Sequence, residues 1–474
     1  MKQHLDLFLN DYQENGRYPF HMPGHKRHSL DIGDPYRIDI TEIEGSDSLH
    51  HASGILLDAQ QRAAELYGSE KSFYLINGST GGILAAISAC VNRGGRLLMA
   101  RNSHKAVYHA AYINQLKTTY LYPEINEYGI QGAIRPEAVE QELDKYKDIN
   151  AVIVTSPTYE GVLSDIKKIA ESCHRRNIPL IVDGAHGAHL GLSRSTPESA
   201  LQCGADLVIN SLHKTLPSLT QTALLHVNTR LADSDRIQFF LSIYQSSSPS
   251  YVLMSSMEKC IRFLMEKKES YFVHQELRLK EFYQGMKQLR NLRVLTADSF
   301  EKEACFSFDD SKISVLTVGT NITSIELETA IREQFHIEPE MTTGNSVLFL
   351  TSILDTDEGF HQLKNALLTI DQGLSVKNDL CDQTDLQKAL YIKKTKKLEF
   401  SKALDKQSRF VDIHDAVDQV CGQFIALYPP GIPMILPGEI IEQKFASQLE
   451  KGLSLGLHFE GISNKGNLIK IVNF

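Results

Sequence analysis

"PLIVDGAH" (179–186) carries the grammar that decides the fold, and two neighbours repeat it: "AVIVTSPT" (151–158) before it and "ADLVINSLHK" (205–214) after it. Each opens on a short apolar, β-branched run and closes in small polar residues. Between the first two lies "SDIKKIAESCHRRN" (164–177), where Ile166, Ile169, Ala170 and Cys173 share one helical face and Ser164 is the expected cap. Continuous apolar strands joined by helical crossovers predict an α/β protein whose parallel sheet is covered on both faces.

The pattern extends in both directions. Upstream, "SFYLINGSTGGILAAISACV" (72–91) reads as strand, glycine-rich turn and apolar helix, and "RGGRLLMARNSHKAVYHAAYI" (93–113) reads the same way. Downstream, residues 250–291 are helical in pattern, and "LRVL" (292–295) begins a composition shift. There "ACFSF", "ISVLTVG" and "SVLFLTS" alternate with helices expected over 324–335 and 356–369, as in a smaller α/β domain. A basic amphipathic segment (386–404) and the proline-rich "YPPGIPMILPGE" (428–439) close the chain.

A chain of 474 residues suits two or three domains. With 49 basic against 58 acidic residues and no basic block long enough to follow a phosphate backbone, nucleic acid is not an expected partner. Acids interrupt the only apolar run of the first twenty residues, and "ILAAISACV" (83–91) is far short of a bilayer span. Seven scattered cysteines without a C-x-x-C pair indicate reduced thiols. A cytoplasmic protein with no membrane partner is the expectation.

In an open α/β sheet, ligands bind beyond the carboxyl ends of the strands. Ser79, Thr80, His104, Thr158, Asp183, His186, Ser211, His213 and Lys214 fall there. "NGSTGG" (77–82) offers close backbone approach, hydroxyls and a following helix N-terminus, which is a phosphate cup or else a tight strand-to-helix turn. It matches neither G-x-G-x-x-G nor G-x-x-x-x-G-K-[ST]. Asp183, after four apolar residues, is expected to be buried, as a partner for a protonated ring nitrogen or as a cap or internal ion pair. His186 and His189 read as core histidines or ligands, although H-x-x-H without H-E-x-x-H gives no zinc site, so no metal is expected. Lys214 has no acid in its flanks "NSLHKTLPSLTQTALLH" (210–226). A desolvated amine there is a nucleophile for an aldehyde, whereas a snorkelling surface lysine would leave the missing acids unexplained.

The same stretches, with "PFHMPGHKR" (19–27), "DITEIEGSDSLHHASGILLDAQ" (39–60), "VTSPTYEGVLSDI" (154–166), "VDGAHGAHLG" (182–191) and "QSSSPSYVLMSSM" (245–257), run in order from residue 19 to 439. In this the chain resembles the fold-type I pyridoxal-phosphate-dependent Orn/Lys/Arg decarboxylases, in the compact bacterial form without an N-terminal wing domain. The resemblance implies an aspartate aminotransferase-like α/β fold with a mainly parallel seven-stranded central sheet and smaller α+β C-terminal domains. It divides the chain into an N-terminal segment (1–60), a large cofactor domain (61–295), a small domain (296–375) and a C-terminal domain (376–474).

It further implies pyridoxal 5'-phosphate as cofactor, Lys214 as the Schiff-base lysine and Asp183 as the acid on the pyridine nitrogen. His104 is implied to stack on the ring, and His186 to sit beside it and assist protonation. Gly78, Ser79, Thr80, Thr158, Ser211 and His213 join the cofactor contacts, most of them at the phosphate. Ser247 would reach a neighbouring subunit's cofactor in a homodimer or higher homo-oligomer. His25 and Glu439 belong by resemblance to the substrate mouth, with Glu439 anchoring a basic tail. The implied reaction is decarboxylation of arginine, lysine or ornithine, with arginine preferred. The chain departs from the family's Asp-Glu-Ala-His pattern at Gly184, and "DQVCGQFIALYPPG" (418–431) approaches its proline-rich motif loosely. Two rivals are an aminotransferase or aldolase of the same fold, for which Arg332 and Arg409 are the arginines past residue 300 to hold a carboxylate, and a catalytically idle regulatory homologue.

Overall fold

The computed structural model describes residues 4–229, 231–376, 388, 392–427, 431–454, 456–463 and 467–474. Of the basic segment only residues 388 and 392–404 are described, and residues 428–430 of the proline-rich stretch lie outside the described set.

Seven strands form the central sheet: β1 (Lys71–Leu75), β2 (Arg96–Ala100), β3 (Lys117–Leu121), β4 (Ile149–Thr155), β5 (Leu180–Asp183), β6 (Leu207–Asn210) and β7 (Ala223–Val227). Their spatial order is β1-β7-β6-β5-β4-β2-β3. All neighbours pair in parallel except β7, which is antiparallel to both β1 and β6. Two reversals cancel, so β1 runs with the parallel set and its carboxyl end falls on the same edge.

The continuous apolar runs are explained by burial on both faces. Val152, Val154, Leu180, Val182 and Val208 enter one core cluster, while the alternating Ala151, Ile153, Ile181, Leu207 and Ile209 enter the other. Helix α1 (Gly78–Cys90) packs on the second face, and α2 (Ile166–His174) on the first. The cap of α2 is Asp165, whose carboxylate accepts the Lys168 N–H at 3.1 Å. Ser164, the expected cap, instead accepts the Ile134 N–H at 2.9 Å and ties a neighbouring loop. The glycine-rich "turn" is likewise already helix. A Cβ on Gly82 would meet Leu75 Cδ1 at 2.5 Å and Ile209 Cγ2 at 3.2 Å, so this glycine lets α1 lie close on the sheet.

Helix α3 (Tyr251–Met286) leads into a four-stranded antiparallel sheet in the order Arg293–Val294, Lys312–Leu316, Ser346–Leu350, Met341–Thr343. Of the three strands expected here, "ACFSF" departs. Ser307–Phe308 pairs with Val162–Leu163 of the large domain, because Phe308 joins a small separate core there. The N-terminal segment is also no free arm: Tyr18–Phe20 pairs in parallel with Ile337–Pro339, and the expected boundary at residue 60 falls inside the helix Ile55–Tyr67. The last region builds its own core around Ile413, Ile435, Phe445, Leu449 and Ile471.

His226 on β7 is fully buried, with Nδ1 2.7 Å from Ser72 Oγ, and burial pushes its pKa down to about 3. A lowered folded-state pKa gives stability that is present above pH 6.5 and lost as pH falls toward 3, at roughly 1.4 kcal/mol per pH unit. His226→Gln is therefore expected to flatten the acid limb of unfolding free energy against pH by about that slope. An unchanged limb would refute the assignment.

Candidate active site

Along the carboxyl edge of the sheet lies a cavity of about 230 Å³. Gly78, Ser79, Thr80, His104, Thr158, Asp183, His186, Ser211, His213 and Lys214 all line it, brought together from the ends of β1, β2, β4, β5 and β6. Strands that run parallel deliver their following loops to one edge, and that alone gathers residues spread over more than a hundred positions.

Lys214 lies in the short helix Leu212–Thr215 after β6. Its Nζ is 2.9 Å from His186 Nε2 and 5.4 Å from the centre of the Tyr159 ring, on which His186 also packs. Burial lowers the Lys214 pKa, and Lys312 lowers it further, against the opposing pull of Asp183 and Glu340. Burial and the same two lysines hold His186 well below its ordinary value. Both partners are thus driven toward neutrality, the state in which an amine attacks and an imidazole takes a proton.

Asp183 is 3% exposed, accepts the Ala185 N–H at 3.2 Å, and is raised by burial. The two outer histidines are held by single ring contacts. His104 Nδ1 accepts the Ala106 N–H, and His213 Nδ1 lies 2.9 Å from the Thr222 carbonyl, where it donates. Burial takes both to about 4. Ser79 Oγ and Ser211 Oγ meet at 2.7 Å beside the start of α1.

Other expected residues are placed elsewhere. Glu439 does not line the cavity: it is 2% exposed, pairs with Arg101 at 3.4 Å and accepts the Leu436 N–H. Arg101 also donates to the Pro433 and Met434 carbonyls, so this pair fixes the strand whose Ile432 closes the cavity mouth, and an internal counter-ion replaces the expected substrate anchor. His25 is half-buried outside the cavity, its Nδ1 accepting the Arg27 N–H. Ser247 is exposed and outside this chain's cavity. His189 lies 3.1 Å from Asp309, a structural pairing. The Gly184 departure turns away from the cavity: a Cβ would meet Asn210 Nδ2 at 2.9 Å, which donates to the Gly184 carbonyl. A larger side chain cannot sit there without moving Asn210.

The motif "PGHK" does something the sequence reading missed. Buried Lys26 donates to the carbonyls of Pro19, His21 and Leu350, tying the N-terminal segment to the small domain. Gly24 donates its N–H to the His213 carbonyl at 2.7 Å, and a Cβ there would strike the Leu216 backbone at 2.7 Å. The motif therefore braces the segment that carries Lys214. Gly24→Ala, far from any reacting atom, is expected to lower kcat by roughly 10- to 100-fold through displacement of Lys214. Steady-state kinetics at unchanged kcat would refute the bracing.

The cavity also gathers polar atoms that sequence reasoning did not single out. Asn102, Gln131, Thr155 and His186 line it, and their Oδ1, Oε1, Oγ1 and Nδ1 atoms are buried without a hydrogen-bond partner among the described residues. Such orphans mark a cavity shaped for a polar ligand. With an unpaired buried acid, a depressed lysine and a helix start bearing hydroxyls, the set fits pyridoxal phosphate. Asn102 could have been noticed two residues before His104 in "RNSH". Gln131 carries no local signal.

The sheet and the smaller domains define a class by fold, the aspartate aminotransferase-like α/β proteins. Solved structures agree on the fold: the Francisella novicida lysine decarboxylase superposes with a TM-score of 0.80 at 19% identity, over 93% of this chain and 75% of that one. The ureidoglycine-glyoxylate aminotransferase of Bacillus subtilis does so at 0.59 and 15% identity, over 78% and 97%. The chain belongs to the Orn/Lys/Arg decarboxylase family, whose major-domain model matches residues 5–314 and whose C-terminal-domain model matches residues 383–461. The arginine decarboxylase of Halalkalibacterium halodurans is 31% identical over 453 residues, covering 93% of this chain and 91% of that one. That of Bacillus subtilis is 30% identical over 476 residues, covering 97% and 96%.

Proposed function

We propose that the protein is a pyridoxal-phosphate-dependent decarboxylase of a basic L-amino acid, with arginine preferred and agmatine as product. The observation that carries the reading is the Lys214–His186 pair in a cavity whose described lining holds no arginine. An aminotransferase of this fold clamps the substrate carboxylate with an arginine. Here Arg332 is engaged by Glu328 and Glu338, and Arg409 is exposed on a distant strand. A carboxylate left without a clamp is one that can depart. Intact placement of Lys214, Asp183 and His104 in one cavity speaks against an idle homologue.

When bound, the cofactor supplies an aldehyde and an electron-accepting ring. Asp183 would hold the proton on the ring nitrogen, and its buried carboxyl would gain there the cationic partner it lacks. His104 would cover one face of the ring. Gly78, Ser79, Thr80, Ser211 and His213 would hold the phosphate, with Thr158 at the cavity wall. Lys214 Nζ would hold the cofactor by its aldehyde, and the Nζ–His186 Nε2 contact would hold a proton at the point where the substrate sits. Asp183 and the orphaned Thr155 Oγ1 support this placement. The reading includes a cytoplasmic enzyme that is at least a homodimer, with Ser247 offered to the partner's site. Among the described residues no helix is long and apolar enough to cross a membrane, and exposed Leu5, Phe8, Phe239 and Ile243 supply apolar surface for such an assembly.

Carbon dioxide release from arginine, lysine and ornithine by the cofactor-loaded protein tests the reading. Release with arginine fastest is expected. Amino transfer to a keto acid without release would replace it, and a colourless protein after incubation with pyridoxal phosphate would end it.

A further inference from the structure

Two tight turns aim acceptors into the cavity from the side of the small domain. In residues 158–162, the Thr158 and Val162 backbones pair at 2.9 Å and Thr158 Oγ1 accepts the Val162 N–H, which leaves Tyr159 and Glu160 at the tip. Gly161, at φ +98°, completes the turn, and its N–H donates back to the Thr158 carbonyl. A Cβ at Gly161 would lie 2.7 Å from the Asp309 carbonyl, so only glycine fits at this point of the turn.

In the second turn, Asn126 Oδ1 accepts the N–H groups of Tyr128 and Ile130 at 3.0 and 2.9 Å, which presents Gly129, Ile130 and Gln131 to the cavity. Asn345 Nδ2 donates to the Tyr128 carbonyl and so anchors this turn to the same small-domain strand region that supplies Thr343 to the lining.

Glu160 lines the cavity, where burial raises its pKa against hydrogen bonds from the Thr158 hydroxyl and its own N–H, and among the described residues no ion pair involves it. A carboxyl in such a place is incomplete without a cation. Gln131 is buried, and its Oε1 has no hydrogen-bond partner. A carboxyl group and an unpartnered amide oxygen lining one cavity are an acceptor set, and a guanidinium is its complement: planar, always charged, five N–H donors and no acceptor. An ammonium satisfies the carboxylate as a point charge but fills fewer of the acceptors.

We propose that Glu160 and Gln131 form the subsite that takes the guanidinium tail of the substrate, with Glu160 setting the preference for a cation and Gln131 the preference for arginine over lysine. The proposal rests on the decarboxylase reading for what the tail is attached to, while the subsite itself is a binding claim that stands apart from turnover. Glu439 is already committed to Arg101 and leaves this role open.

The test pairs kinetics with binding. Glu160→Gln is expected to raise the KM for arginine roughly 100-fold, the loss of a charged hydrogen bond, with kcat changed much less. Glu160→Asp should recover part of that loss, and Gln131→Leu should cost arginine more than lysine. In parallel, calorimetry of methylguanidinium and its neutral isostere methylurea on the cofactor-loaded proteins needs no reaction. Binding of the cation by wild type but not by Glu160→Gln, at unchanged visible absorbance, supports the subsite even if no amino acid is decarboxylated, an outcome that overturns only the function reading. If wild type decarboxylates arginine while Glu160→Gln keeps its KM and its methylguanidinium affinity, the function reading stands and the subsite is wrong.

Discussion

Lys214→Met should leave a protein that folds, binds pyridoxal phosphate without the visible band of a lysine-bound cofactor, and decarboxylates at least roughly 10⁴-fold more slowly than wild type. The size follows from two losses at one atom. Nζ is the only described amine lining the cavity, and in the proposed reaction it is also the group, 2.9 Å from His186 Nε2, that would deliver the proton. Methionine keeps the unbranched bulk and removes the nitrogen. The stability sign separates lost chemistry from lost structure. Burial lowers the folded-state pKa of Lys214, so its stabilising contribution is present only above the ordinary lysine value near 10.5 and is lost as pH falls. At pH 7 the buried amine costs stability, and cofactor-free Lys214→Met is expected to melt at or above wild type. A variant that keeps the visible band, or retains a tenth of wild-type turnover, would rule out Lys214 as the attachment point.

Asp183→Asn carries the second large effect, a fall in kcat of roughly 10³-fold, because a neutral amide cannot hold the ring nitrogen protonated against a site that excludes water. Here too the linkage gives a control. The carboxyl pKa is raised by burial, so its favourable contribution is complete below the ordinary value near 3.8 and disappears as pH rises through the folded-state value. At pH 7 the buried acid costs stability in the cofactor-free protein. Cofactor-free Asp183→Asn should therefore melt higher than wild type at pH 7, with the gap closing below pH 3.8. Wild-type turnover in this variant would detach Asp183 from the chemistry, and a lower melting temperature at pH 7 would show that Asp183 serves the fold instead.

Local pattern carried the reading as far as local physics reaches. The continuous apolar runs "AVIVT" and "LIVD" indicate a parallel sheet covered on both faces, and the rule that ligands gather at strand ends brings Ser79, His104, Asp183 and Lys214 to one edge. Errors came where a residue has a distant partner. Ser164 looked like a cap because it precedes an apolar helix, yet Asp165 has the better-placed oxygen and Ser164 serves Ile134. Gly82 looked like part of a phosphate loop, yet its missing Cβ answers to Leu75 and Ile209.

The periodicities and the acid-free flanks of Lys214 were enough to indicate a parallel sheet and the residues gathered at its strand ends, because each depends on residues a few positions apart. Three things depended on the folded chain: Glu439 going to Arg101, Lys26 and Gly24 bracing the lysine segment, and Glu160 with Gln131 turning inward. Arg101 and Glu439 lie 338 positions apart, and Lys26 and Leu350 lie 324 apart. Charge pairing and hydrogen bonding over such separations leave no period or spacing in the chain, since any acid could have met any base until close packing selected one.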